Sequence, residues 1–216
     1  MTTYQTVKIG KVTTSKTELI DITKAWIALS FAFALIYGGI SVMRGSLSSL
    51  FSFSFVILFL ISFFTAGLGF LLHELSHKFV AQRYGCVAEF RAFNQMLWLA
   101  VGLAFLVGFI FAAPGAVMIS GMITRRENGI VSVAGAVTNY ILGFLFLGMQ
   151  FAFPSFSSIF LIGFNINMWL GLFNMIPFGP LDGLKVFHWN KIVWGIMVVI
   201  GVAFVFFLDK ILALFA

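Results

Sequence analysis

Charge is what this sequence has least of. Lys, Arg, Asp and Glu make up 9% of its 216 residues, while 61% are hydrophobic, and an average soluble domain carries roughly a quarter charged residues. There is too little polar surface here to coat a water-soluble fold. Cysteine is nearly absent too: Cys86 stands alone, which excludes an intrachain disulfide and a Cys-based zinc cluster and leaves it as a small packing residue. The first 23 residues lack the short apolar core of a signal peptide. They read as a short cytoplasmic segment, with a strand pair around Val7, Ile9 and Val12. A formal charge of +6 would suggest nucleic acid in a soluble protein. In so apolar a chain it reads instead as Lys and Arg gathered on the cytoplasmic face of a multi-pass protein of the cell membrane. Nucleic acid is therefore excluded as a partner and the lipid bilayer is implied. No internal repeat or appended soluble domain is visible, so residues 1–216 are treated as a single domain.

What the chain has in quantity is long apolar runs, near 24–43, 50–80, 97–119, 130–153, 158–180 and 191–208. Each is about the length a bilayer-spanning helix needs. The expected fold is an all-α polytopic membrane protein of five to six transmembrane helices, with small β elements at the cytoplasmic side. The third run is broken by Ala113-Pro114-Gly115, which disfavours one straight helix. Read as a helix followed by an extended return, it becomes a re-entrant segment near 97–120 with both ends on one side. With a cytoplasmic N-terminus, eleven of the thirteen Lys and Arg then lie inside, all but Arg44 and Lys210. If every run crosses, Arg125, Arg126, Lys185 and Lys191 join Arg44 outside, so the charge bias favours five spans and one re-entrant segment.

Within the second run lies FLLHELSHKFV, residues 70–80. On a helix His73 and His77 are one turn apart and face the same way, with Glu74 between them in projection. This is the H-E-x-x-H pattern, in which two imidazoles hold one catalytic Zn²⁺ and the Glu serves as general base on water. The plainer alternative, two histidines capping or snorkelling at a helix end, fits poorly with ionisable groups at depth, which are expensive and mark function. With the inner interface near Arg83, His73 lies about 15 Å and His77 about 9 Å inside it. Lys78 is expected to snorkel out to the headgroups. A catalytic zinc site normally takes a third protein ligand. Asp182, in NMIPFGPLDG (174–183), is the candidate, because the prolines beside it break helix geometry and could aim its carboxylate inward. An ordinary turn Asp before Gly183 is the simpler reading of that residue alone. His188 reads as a solvated interfacial residue. Asp182 can reach His73 only if both lie at the same face, which the five-span arrangement provides and six spans do not.

Three ordered motifs resemble the site-2 protease family of intramembrane zinc metalloproteases. HELSH (73–77) matches its H-E-x-x-H, AGAVTN (134–139) is similar to its A-G-P-x-x-N with Ala136 in place of Pro, and NMIPFGPLDG is similar to its N-x-x-P-x-P-x-L-D-G. The resemblance implies His73, His77 and Asp182 as zinc ligands, Glu74 as catalytic acid and base, and Asn139 and Asn174 as amides that support an oxyanion or the substrate backbone. It also implies a membrane-protein substrate cut in or near a transmembrane segment. The run at 97–112 looks longer than the family's β-rich re-entrant segment. Two other readings stay open at this level: a metal-ion transporter or channel using the same cluster, and an inactive relative that only binds transmembrane segments.

Overall fold

The computed structural model describes residues 6–9, 12–110 and 114–213. The first described elements are two antiparallel strands, β1 (Thr6–Ile9) and β2 (Val12–Ser15), the strand pair expected around Val7, Ile9 and Val12. Ser15 then caps α1 (Lys16–Tyr37) by accepting the Glu18 amide proton. After a 3₁₀ turn come α2 (Phe53–Ser62) and α3 (Leu68–Arg83), joined by a π-helical turn at Phe63–Gly67 into one apolar rod of 31 residues. The Trp26 indole donates to the Phe63 carbonyl inside that turn and stacks on its ring at 4.1 Å. β3 (Val87–Ala92), α4 (Asn94–Val107) and β4 (Gly115–Ser120) follow. The remaining elements are α5 (Arg125–Ala152), α6 (Ser157–Asn174), α7 (Asp182–Trp189), α8 (Lys191–Phe206) and α9 (Leu208–Ala213).

Among the described residues four helices are long and apolar enough to cross a membrane: Lys16–Tyr37, Phe53–Arg83, Arg125–Ala152 and Pro154–Asn174; Asn94–Val107 and Lys191–Phe206 are shorter apolar helices. The mostly helical membrane architecture with small sheets is thus as expected.

The broken third run has the form the sequence suggested. β4 pairs antiparallel with β3, Val87 opposite Ser120 and Ala92 opposite Gly115, and the Phe93 amide donates to the Pro114 carbonyl at 2.9 Å. The chain therefore leaves the sheet at Phe93 and returns to the same point. Between these ends α4 runs alongside α1, from Leu97 packed near Ala25 to Ala104 packed near Leu35 and Ile40. At its far end Phe105 and Leu106 accept the amide protons of Val42 and Met43. Because Ser120 ends opposite Val87, α5 starts at the end where α3 finishes. α6 then turns back along α5, parallel to α3.

Two of the hydrophobic clusters among the described residues lie between the long helices. One gathers Tyr140, Phe164, Met168, Met175 and Val186 from α5 to α7, and the other packs α1, α2 and α4 around Leu35, Ile40 and Phe55. Cys86 is buried against Ala81, Ala88 and Val131, the packing role expected of it.

Candidate metal centre

Parallel α3 and α6 deliver two sets of side chains to one end of the bundle. α3 carries His73 and His77 one turn apart. The chain breaks after α6 at Pro177 and Pro180 and restarts as α7, with Asp182 in its first turn. The Nε2 atoms of His73 and His77 lie 3.3 and 3.0 Å from the same oxygen, Asp182 Oδ2. All three residues are buried, and their candidate ligand atoms lie within 4.8 Å of one another. The sequence reading that Asp182 shares a face with His73 holds.

The hydrogen bonds around the imidazoles fix what those atoms offer. His77 Nδ1 sits 2.7 Å from the Val131 carbonyl, which can only accept, so Nδ1 carries the proton. His73 Nδ1 sits 2.5 Å from Asn139 Oδ1. Asn139 Nδ2 donates to the Gly69 carbonyl and to Asn167 Oδ1, both at 3.1 Å, which sets the amide's orientation and makes His73 Nδ1 the donor there as well. In its neutral form each ring so bonded turns an unprotonated Nε2 toward the carboxylate oxygen. Three electron pairs meeting at one buried point need a positive charge between them. A divalent cation held by two imidazoles and a carboxylate satisfies that need, and this donor set suits Zn²⁺ in a catalytic site with a position left open. Asp182 Oδ1 points the other way, 3.6 Å from Lys185 Nζ, so one oxygen is left to face the rings.

The close approach of α5 depends on a glycine. A Cβ at Gly135 would lie 2.5 Å from His73 Cε1 and Nε2 and 2.6 Å from His77 Cε1, so the glycine of AGAVTN is the surface on which both rings rest. Gly183 plays the same part for α7, where a Cβ would meet the Met175 carbonyl at 2.3 Å.

The two asparagines fare differently. Asn139 is fully buried and both its amide protons are taken, so its geometry is that of a residue orienting His73. Asn174 bonds back to the Leu170 carbonyl at 2.9 Å, and among the described residues no hydrogen bond joins it to His73, His77 or Asp182. Asn167 was not singled out from the sequence. It is fully buried and donates to Gly163 while accepting from Asn139. Its only trace in the sequence is an amide within an apolar run. His188, at the other end of α7, is exposed, as expected.

Lys78 departs from expectation. It does not reach outward: it is 2% exposed and its Nζ lies 2.6 Å from Glu18 Oε2. The hairpin and the start of α1 fold over the end of α3 and close the outward route, and a carboxylate supplied there replaces the headgroup.

Glu74 is half-buried beside the rings, on α3, which packs against β4. The free edge of β4 follows from the sheet. On β3 the Phe90 amide donates to Glu18 Oε1 and the Ala88 carbonyl accepts from Gln82, so these two residues point away from β4. Antiparallel alternation then makes their partners Val117 and Ile119 point away from β3. Those groups form the outer edge of β4, which pairs with no other strand among the described residues.

Comparison with known proteins bears on this centre. No family model and no solved structure matches the chain. Among curated proteins, "Putative zinc metalloprotease MJ0611" of Methanocaldococcus jannaschii is 38% identical over 187 residues, 85% of this chain and 90% of that protein. "Putative zinc metalloprotease YwhC" of Bacillus subtilis is 32% identical over 54% of this chain and 63% of its own length. Zinc metalloprotease MJ0392 of Methanocaldococcus jannaschii is 26% identical over 71% of this chain and 38% of its own length. A buried two-histidine, one-carboxylate cluster and a relative matched along nearly its whole length agree, and the chain belongs to the family of these zinc metalloproteases.

Proposed function

We propose that this protein is an intramembrane zinc endopeptidase of the site-2 protease kind, hydrolysing peptide bonds in or near the transmembrane segments of other membrane proteins. The observation that carries the reading is the convergence of two imidazole Nε2 atoms on Asp182 Oδ2 at 3.0 and 3.3 Å, inside a bundle of apolar helices and beside Glu74. Zinc bound there supplies Lewis acidity, polarising a carbonyl and making water more acidic. His73, His77 and Asp182 hold the ion, Asn139 and the Val131 carbonyl keep the two rings turned toward it, and Glu74 takes the proton from water and delivers it to the leaving amine. A helical substrate hides its carbonyls in its own hydrogen bonds and must unwind before it can be cut. The open edge of β4, where the backbone groups of Val117 and Ile119 point away from β3, offers partners to the unwound strand by β-addition. The active end is assigned to the cytoplasmic side of the cell membrane, on the positions of Arg125, Arg126, Lys185 and Lys191.

Purified protein incubated with a membrane-protein substrate, with and without a zinc chelator, tests this. Cleavage that stops on chelation and returns with Zn²⁺ is expected. Cleavage indifferent to the chelator overturns it, and zinc flux through reconstituted vesicles without any cleavage supports a transporter instead.

A further inference from the structure

Next to the metal centre lies a second buried polar cluster that takes no direct part in the chemistry. Glu18 is fully buried. Its Oε2 accepts from Lys78 Nζ at 2.6 Å and from Thr14 Oγ1 at 2.7 Å, and its Oε1 accepts the Phe90 amide proton at 2.8 Å. One carboxylate thereby joins β2, α1, α3 and β3. Beside it Gln82 bridges Thr13 and the Ala88 carbonyl at 3.0 Å, so the same face of β3 is held at two points. The two ends of the Glu18 bridge are informative. Lys78 directly follows His77, and Phe90 lies opposite Val117 on β4, whose outer edge pairs with no other strand among the described residues.

We propose that Glu18 is a positioning residue for catalysis, its carboxylate fixing the distance between the metal-binding helix α3 and the substrate-receiving edge of β4. The proposal rests on the protease reading above and deepens it. A bridge serving stability alone could be replaced by apolar groups of similar size at little cost, because burying two charges uses up most of what their attraction returns. Positioning, in contrast, needs the acceptor for Phe90 to survive. The two roles separate in a pair of double substitutions that both remove the buried charges. Glu18→Gln with Lys78→Met keeps an amide oxygen for the Phe90 N–H, and Glu18→Leu with Lys78→Met does not.

Both variants are expected to fold and to bind one zinc per chain. With a quenched fluorescent transmembrane substrate in detergent, the Leu/Met variant should show kcat/KM at least tenfold below the Gln/Met variant. In hydrogen–deuterium exchange, amides of residues 87–92 and 115–120 should exchange at least tenfold faster in the Leu/Met protein. Equal kcat/KM in the two variants, with zinc retained, would overturn the positioning role. If the wild-type protein cleaves nothing, the protease reading fails, and exchange alone decides whether Glu18 holds the sheet: equal protection in the two variants overturns that as well.

Discussion

At Gly135 the metal site has no slack. A methyl group there would sit 2.5 Å from His73, well inside van der Waals contact, so Gly135→Ala must displace both rings or push α5 away from α3. Zinc affinity is expected to fall by about 100-fold, at the upper end of what loss of an orienting contact costs, while the protein still purifies as a folded helical species. Isothermal titration with Zn²⁺ and circular dichroism together check this. Asn139 calls for a subtler change. Asn139→Leu removes the acceptor for His73 Nδ1–H and leaves Asn167 Oδ1 and the Gly69 carbonyl without their donor, so zinc affinity should drop about 10-fold with a loss of stability of about 1–3 kcal/mol. Asn139→Asp keeps the acceptor and should bind zinc more tightly than the Leu variant. If Leu and Asp bind zinc equally, His73 is not oriented by this residue.

At the scale of elements, the sheet and the break after α6 set what the site can do. Replacing Val117 and Ile119 with Pro removes two N–H groups from the open edge of β4 without touching its bonds to β3, since those residues face away from it. Cleavage should fall by about 10-fold or more, through the loss of two hydrogen bonds worth roughly 1 kcal/mol each, with zinc content unchanged. Unaltered cleavage by a zinc-loaded double variant counts against strand addition. The packing of α8 on α5 is tied by Tyr140, whose hydroxyl donates to the Met197 carbonyl at 2.9 Å. Tyr140→Phe should lower stability by about 1 kcal/mol and leave the metal centre loaded, as a thermal-shift assay with zinc analysis would show. Elements were also where the sequence was easiest to read. The H-E-x-x-H spacing placed both imidazoles on one helical face, the prolines around residues 177–180 freed Asp182 from α6, and the break at Ala113-Pro114-Gly115 ruled out one straight helix through the third run, although α4 already ends at Gly108. Partners far apart in sequence could not be read in this way. Lys78 meets Glu18 across 60 residues, and no periodicity in either segment announces the pair. Asn167 looks like any single amide in an apolar helix until α5 is packed against it.

For the whole molecule, the meeting of Phe93 and Pro114 at one end of the sheet is what makes the site possible. It puts the start of α5 where α3 ends, so α6 runs parallel to α3 and Asp182 arrives at the histidines. The charge bias of the loops pointed to the same arrangement from unrelated grounds. The resulting protein carries the His73, His77 and Asp182 cluster at one end of an apolar bundle, with β4 packed against the helix that bears the histidines. In the proposed mechanism metal binding and proton transfer fall to different residues, and Glu74→Gln tests that separation most directly, measured as zinc per chain and as cleavage of a transmembrane substrate by the same preparation. One zinc per chain with cleavage reduced by about 100-fold or more, the lower range for removing a general base, is the predicted result. Cleavage at the wild-type rate by the zinc-loaded variant would contradict it.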